Sequence, residues 1–157
     1  MENEMESRAT SPTDNQPDIK ITKWDLGRLD HLLSQHAITW SWKAVEFLVR
    51  ELMRANILDD SEIPSGIVTM RSRVVFRDDG NELDQVVTLA YPGEREYFDD
   101  ALSVLTPVGA ALIGLSEGQS IRYPAPDGRW KMLTVLKVLS QPEHSRRTGI
   151  AQESHSI

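Results

Sequence analysis

The spacing of apolar residues predicts two helices near the start of the chain. Between 22 and 56, leucines and valines recur at intervals of three and four in two runs separated by a break at 35–40. The runs are Leu26, Leu29 and Leu33, and then Val45, Leu48 and Leu52. Each run is a narrow stripe that a second helix can cover. We therefore expect two antiparallel helices of about fifteen residues, forming a short coiled coil about 20–25 Å long.

From Ile67 onward the apolar residues alternate, which is the pattern of a half-buried strand. The segment IVTMRSRVVF is followed by a turn at Asp79-Gly80 and by a hairpin partner, LDQVVTLAY. Further strands are predicted in LSVL (102–105), SIRY (120–123) and RWKMLTVLKV (129–138). The predicted order α-α-β-β-β-α-β-β is typical of an α+β domain with a small antiparallel or mixed sheet.

The stretch LSVLTPVGAALIGLSEG (102–118) predicts a short helix between two strands. Thr106 is a helix N-cap residue, and Pro107 suits the first helical position because it lacks the donor that would be unpaired there. Gly114 predicts the end of the helix. The spacing of Gly109 and Gly114 also resembles a phosphate-binding loop, but Leu115 stands where that loop needs a lysine. A phosphate loop is therefore excluded.

These patterns divide the chain into five parts. We expect disordered tails at 1–18 and 142–157, because both are polar and neither contains enough apolar residues to form a core. A helical hairpin is predicted at 19–58, a linker at 59–66 and a sheet domain at 67–141.

Composition narrows the class of protein. The net charge of −7 argues against a general nucleic-acid binder, so we expect a protein partner and no strong direct nucleic-acid binding. The chain has no run of about 18 apolar residues, so no membrane association is expected. The absence of cysteine excludes thiol chemistry and fits a reducing, cytoplasmic location.

No pattern of catalytic or metal-binding residues stands out. His31 and His36 are five residues apart, so they diverge by about 140° on a helix and cannot share a metal. Asp99 and Asp100 are adjacent carboxylates, which in an extended segment rarely point together. We expect no cofactor, no metal and no enzymatic activity.

The segments VTMRSRVVF, Tyr91-Pro92 and LSVLTPVGAALIGLSEGQSI resemble the C-terminal domain of the bacterial Gre transcript-cleavage factors. That domain typically carries Ser-Pro-x-Gly-x-Ala-Leu-x-Gly after a strand. The similarity is greatest to one branch of the family, the regulators of nucleoside diphosphate kinase, and it covers about residues 20–142. The resemblance implies an FKBP-like domain that carries a helical hairpin.

The resemblance also implies a partner, RNA polymerase, and a docking edge. Gre-type domains are understood to contact the rim of the polymerase secondary channel through the turn that corresponds to Thr106-Pro107, with Leu105 and Val108 beside it. An equally adequate interpretation is that Thr106 and Pro107 only start the helix. Leu105 stands where some relatives have an acid, so an ion pair at that position is not expected.

The predicted hairpin tip differs from that of a cleavage factor. Gre factors are understood to hold a catalytic magnesium ion with acidic residues at the tip, whereas residues 34–42, SQHAITWSW, contain no acid. The residues available there for a contact are His36, Ile38, Trp40 and Trp42. The two tryptophans suit an interface, but they suit packing within the protein equally well.

Three functions remain open at this point. The preferred one is a regulator that docks on RNA polymerase near the secondary channel and does not stimulate transcript cleavage. The second is a cleavage-stimulating elongation factor that uses Asp30 or Glu46, the carboxylates nearest to the tip. The third is a peptidyl-prolyl isomerase-like domain, which an FKBP-like fold would suggest.

Overall fold

Four α-helices, two short 3-10 helices (Asp60–Glu62 and Arg95–Tyr97) and seven strands make up the regular structure of the described part of the chain. The computed structural model describes residues 16–36 and 42–148. The helices are α1 (Lys23–His36), α2 (Trp42–Arg54), α3 (Pro107–Leu112) and α4 (Pro142–Thr148). The strands are β1 (Lys20–Thr22), β2 (Asn56–Leu58), β3 (Arg73–Asp78), β4 (Asp84–Ala90), β5 (Ala101–Ser103), β6 (Ser120–Pro124) and β7 (Trp130–Ser140). This combination of helices and strands confirms the predicted α+β class.

The main sheet has five strands in the order β5-β4-β3-β7-β6. Neighbouring strands are antiparallel except for β4 and β5, which are parallel, so the sheet is mixed. Val74 and Phe76 of β3 are buried in the core. The strand begins at Arg73 and not at Ile67, because residues 69–72 form a turn in which the Ser72 N–H donates to the Thr69 carbonyl (3.0 Å).

The two long helices contribute to the same core as the sheet. Leu29 and Leu33 of α1 and Leu48 and Leu52 of α2 are all buried in it. Helix α2 packs on α3 and β6, whereas α1 lies against β1 and β2. The predictions that the two helices form a coiled coil and that the sheet domain is FKBP-like remain predictions.

A two-stranded parallel sheet, which the sequence did not reveal, joins the two ends of the helical segment. Lys20 pairs with Asn56 and Thr22 with Leu58, so β1 and β2 run in the same direction. Parallel strands need a crossover connection of a dozen or more residues, and α1 and α2 provide it. The pairing of β1 with β2 therefore holds the first and last residues of the helical segment next to each other.

The end of the chain corrects one prediction, because residues 142–148 form helix α4 where a disordered tail was expected. The Gln141 amide donates to the carbonyls of Pro64 (2.7 Å) and Ile67 (2.8 Å), and the Thr69 hydroxyl donates to the buried Glu143 carboxylate (2.7 Å). These contacts are polar and distant in sequence, so an apolar pattern could not reveal them. No helix in the described ranges is long and apolar enough to cross a membrane.

Candidate functional site

The Thr106-Pro107 turn starts α3 as the sequence predicts. The Thr106 hydroxyl accepts a hydrogen bond from the Gly109 N–H (3.1 Å) and donates one to the Ser103 carbonyl (2.7 Å). The Ser103 carbonyl also accepts from the Thr106 N–H (3.1 Å). Pro107 occupies the first turn, where no donor is needed. Backbone and side-chain hydrogen bonds together therefore fix the predicted docking edge at Thr106 and Pro107.

Two glycines hold this helix close to its neighbours. A Cβ atom on Gly109 would lie 2.0 Å from the Ser103 carbonyl oxygen, so no side chain fits there. Gly114 has a φ of +86°, which confirms the predicted left-handed stop after the helix. Its carbonyl accepts from the Lys20 N–H (3.1 Å) and its N–H donates to the Val68 carbonyl (2.8 Å). Gly114 thus joins α3 to β1 and to the start of the sheet domain.

The four residues of the predicted docking edge differ in accessibility. Thr106, Pro107 and Val108 are half-buried and reach the surface, whereas Leu105 is only 3% exposed and belongs to the core. Leu105 therefore supports the edge from below. The accessible part of the edge is confined to Thr106, Pro107 and Val108, and its role in docking stays a prediction.

The predicted hairpin tip falls largely outside the described residues. His36 is the last residue of α1 and Trp42 is the first of α2, and Ile38 and Trp40 lie outside the described ranges. Of the two carboxylates considered for cleavage, Asp30 is exposed on α1. Glu46 is exposed on α2 and pairs with Arg50 (3.4 Å).

A buried carboxylate connects α1 to the sheet domain. Asp25 Oδ2 accepts a hydrogen bond from the Met70 N–H (3.1 Å), and Oδ1 accepts from the Tyr91 hydroxyl (3.3 Å). Burial, and to a lesser extent the charge of Glu143, raises the pKa of Asp25 to about 6. Thr22 caps the helix by accepting from the Asp25 N–H (3.0 Å).

Tyr91, at the Tyr-Pro pair of the family resemblance, lies at the centre of this connection. The guanidinium carbon of Arg28 is 4.6 Å from its ring centroid and that of Arg71 is 5.6 Å away. Burial raises the pKa of the Tyr91 hydroxyl, which therefore remains a hydrogen-bond donor. Arg71 in turn donates to Glu94 (2.9 Å). Apart from the Tyr-Pro pair itself, no signal in the sequence linked these residues.

Within the described ranges, no three or more His, Asp or Glu side chains are grouped so that they could hold a metal ion. Asp99 is exposed and Asp100 instead accepts from Arg73 (2.9 Å) and from the Thr88 hydroxyl (2.7 Å). The two carboxylates lie in a turn just before β5 and are in different environments, so they do not act as a pair. Asp100 serves to hold the edge of the sheet together.

Comparisons with known proteins agree with this architecture. Residues 63–140 match the family model described as transcription elongation factor, GreA/GreB, C-term. The chain is 40% identical to the regulator of nucleoside diphosphate kinase of Escherichia coli K12 over 129 residues, which is 82% of this chain and 94% of that protein. It is 32% identical to the elongation factor GreA of Clostridium acetobutylicum over 88 residues, which cover 54% of each.

A solved structure shows the same relationship. The prokaryotic transcription elongation factor GreA/GreB from Nitrosomonas europaea superimposes with a TM-score of 0.59 at 36% identity, covering 78% of this chain and 98% of that one. The chain therefore belongs to the GreA/GreB transcription elongation factor family, within which it is similar to the regulators of nucleoside diphosphate kinase.

Proposed function

We propose that this protein is a transcription regulator that binds RNA polymerase near its secondary channel and does not stimulate transcript cleavage. Membership of the family supports a role in transcription. The observation that supports the rest is the absence of any acid from residues 34–42, which include the end of α1, the connection and the first residue of α2. A hard cation such as Mg²⁺ is held by carboxylate oxygens, and this connection offers none.

The length of the helices supports the same proposal. Helix α1 has 14 residues and α2 has 13. At 1.5 Å per residue, each spans only about 20 Å. Asp30 and Glu46 lie inside these helices, away from the connection, and Glu46 is already paired with Arg50. A hairpin of this kind can occupy the mouth of a channel, but it brings no carboxylate to a site deep within it.

The docking edge supplies the contact with polymerase in this proposal. Thr106, Pro107 and Val108 reach the surface on a turn whose geometry is fixed by the Thr106 and Ser103 hydrogen bonds. A contact surface that is already ordered loses little conformational entropy on binding. Leu105 lies beneath the edge and keeps it in place.

Pro107→Ala is expected to weaken retention by core RNA polymerase about tenfold, because it removes an accessible apolar ring from a rigid edge. The measurement is a pull-down, followed by titration, at physiological salt. Leu83→Ala is the matched control, since Leu83 is 66% exposed and lies before β4, outside the edge. Failure of the wild-type protein to be retained would contradict the proposed function. Retention that is unaffected by Pro107→Ala would contradict the docking edge alone.

Added to a stalled, backtracked transcription complex, the protein is expected to release no short RNA above background. The reason is the lack of a carboxylate between α1 and α2. A cleavage-competent Gre factor, added to the same complex, is the positive control, and competition between the two is expected to slow its cleavage. RNA release that Asp30→Asn or Glu46→Gln abolishes would establish the second function in place of the proposed one.

A further inference from the structure

We propose that a cleft between α1 and α4 binds a nucleotide, with the base against Trp24 and the phosphates held by Arg28 and Arg146. The cleft has a volume of about 350 Å³, within the lower range of small-molecule sites. The other charged residues that line it are Arg71, Asp25, Asp60 and Glu143. The proposal does not depend on polymerase docking, because none of these residues belongs to the docking edge.

Two arginines at the mouth of the cleft have guanidinium groups that are available to a ligand. Arg28 makes no salt bridge within the part of the chain that the structure describes, and it rests on the Tyr91 ring at 4.6 Å. Arg146 Nη2 lies 3.7 Å from Asp60 and 4.0 Å from Glu143, beyond hydrogen-bond distance in both cases. A guanidinium presents N–H donors in a planar fork that matches phosphate oxygens.

Trp24 provides a surface for a base beside these arginines. It is 60% exposed, which is unusual for so large an apolar side chain. Arg28 follows it by four residues on α1, so the two side chains lie on one face of the helix. Bases of nucleotides stack on accessible aromatic rings regardless of sequence. The pair therefore offers stacking and phosphate recognition next to each other.

The floor of the cleft has the opposite charge from its mouth. Glu143 is 4% exposed; its Oε1 accepts from the Thr69 hydroxyl (2.7 Å), and its Oε2 lies 4.0 Å from Arg146 Nη2. Oε2 can accept a hydrogen bond from an exocyclic amino group of a base. Asp25, also 4% exposed, lies deeper and is bonded to Met70 and Tyr91.

This separation of charge favours a nucleotide over a simple anion. The side chain of Arg146 is 51% exposed and Arg28 is exposed, whereas Asp25 and Glu143 are buried. The third carboxylate of the cleft, that of Asp60, belongs to a side chain that is 39% exposed and lies 3.7 Å from Arg146 at the mouth. Phosphates therefore meet two guanidinium groups against one carboxylate at the mouth, and the two buried carboxylates repel them from the floor. A ligand with phosphates at one end and amino-bearing ring edges at the other satisfies both parts of the cleft.

The test uses ADP, adenosine and inorganic pyrophosphate with the full chain, measured by isothermal titration calorimetry. ADP is expected to bind, and both adenosine and pyrophosphate are expected to bind at least about tenfold more weakly because each satisfies only part of the cleft. Arg28→Gln, Arg146→Gln and Trp24→Ala are each expected to weaken ADP binding about tenfold. Arg50→Gln and Tyr97→Ala are the matched controls, since both residues are exposed and lie outside the cleft.

Circular dichroism of each variant checks that the fold is retained, and Arg146→Gln keeps the test decisive if Arg28→Gln unfolds. The absence of ADP binding to the wild-type chain would overturn the proposal. So would ADP binding that none of the three cleft variants weakens. Pyrophosphate binding as tight as that of ADP, unaffected by Trp24→Ala, would overturn the assignment of a nucleotide. None of these results would alter the polymerase pull-down, so the two proposals fail separately.

Discussion

Gly109→Ala is expected to destabilise the protein by about 3 kcal/mol or more, enough to leave much of it unfolded at 37 °C. The added Cβ would lie 2.0 Å from the Ser103 carbonyl oxygen and 2.9 Å from its carbon. These atoms are backbone, so they cannot move aside as the end of a flexible side chain does. The same carbonyl accepts from the Thr106 N–H and hydroxyl, so displacing it also disrupts the helix cap.

Gly27→Ala is the matched control, because Gly27 lies in α1 and, apart from the adjoining residues and backbone of the helix itself, no atom lies within 4 Å of the position of its Cβ. That substitution is expected to stabilise the protein by about 0.5–1 kcal/mol, since alanine favours a helix more than glycine does. Urea denaturation of both variants gives the comparison. A Gly109→Ala variant whose midpoint is close to that of the wild type would show that the close approach of Ser103 does not constrain the docking edge.

Asp25→Asn is expected to raise the free energy of unfolding at pH 7.5 by about 2 kcal/mol. The raised pKa of Asp25, about 6 against an ordinary value of 3.8, means that the folded protein binds this proton more tightly than the unfolded chain does. The contribution of protonated Asp25 to the free energy of unfolding is therefore fully present below about pH 4 and is lost as the pH rises to about 6. An asparagine side chain keeps the hydrogen bond from Met70 without a buried charge.

The wild-type protein should accordingly lose stability between pH 4 and pH 6, and Asp25→Asn should flatten that part of the profile. Urea denaturation at half-unit pH intervals makes the measurement. Asp99→Asn is the control, since Asp99 is an exposed carboxylate. The lowered pKa of Asp100, caused by its hydrogen bonds from Thr88 and Arg73, has the opposite effect at lower pH. A profile that Asp25→Asn leaves unchanged would contradict the assignment of this slope to Asp25.

The local elements were predictable because each depends on residues a few positions apart. The cap at Thr106, the proline after it and the stop at Gly114 follow from backbone geometry alone. The alternation that buries Val74 and Phe76 follows from the two-residue period of a strand. The predicted start of β3 was wrong by several residues, because the Thr69–Ser72 turn depends on hydrogen bonds that the alternation of apolar residues does not encode.

The connection between the helical segment and the sheet domain could not be predicted. Asp25 and Met70 are separated by 45 positions, and Asp25 and Tyr91 by 66. Nor could the cleft be found, because Trp24 and Arg146 come from opposite ends of the described chain. Helix α4 was wrongly assigned to a tail, because it is held by polar contacts of Gln141 and Glu143 with distant backbone and side chains.

The sequence by itself determined the α+β class, the Thr106-Pro107 helix start and the absence of acid from residues 34–42, since each is a matter of residue type and local spacing. The tertiary structure decided which of these features reach the surface. It placed Leu105 in the core, paired β1 with β2, and brought α1 and α4 together around a charged cleft. The physical reason is that burial and hydrogen bonding between distant segments depend on how the chain folds back on itself, which local patterns do not specify.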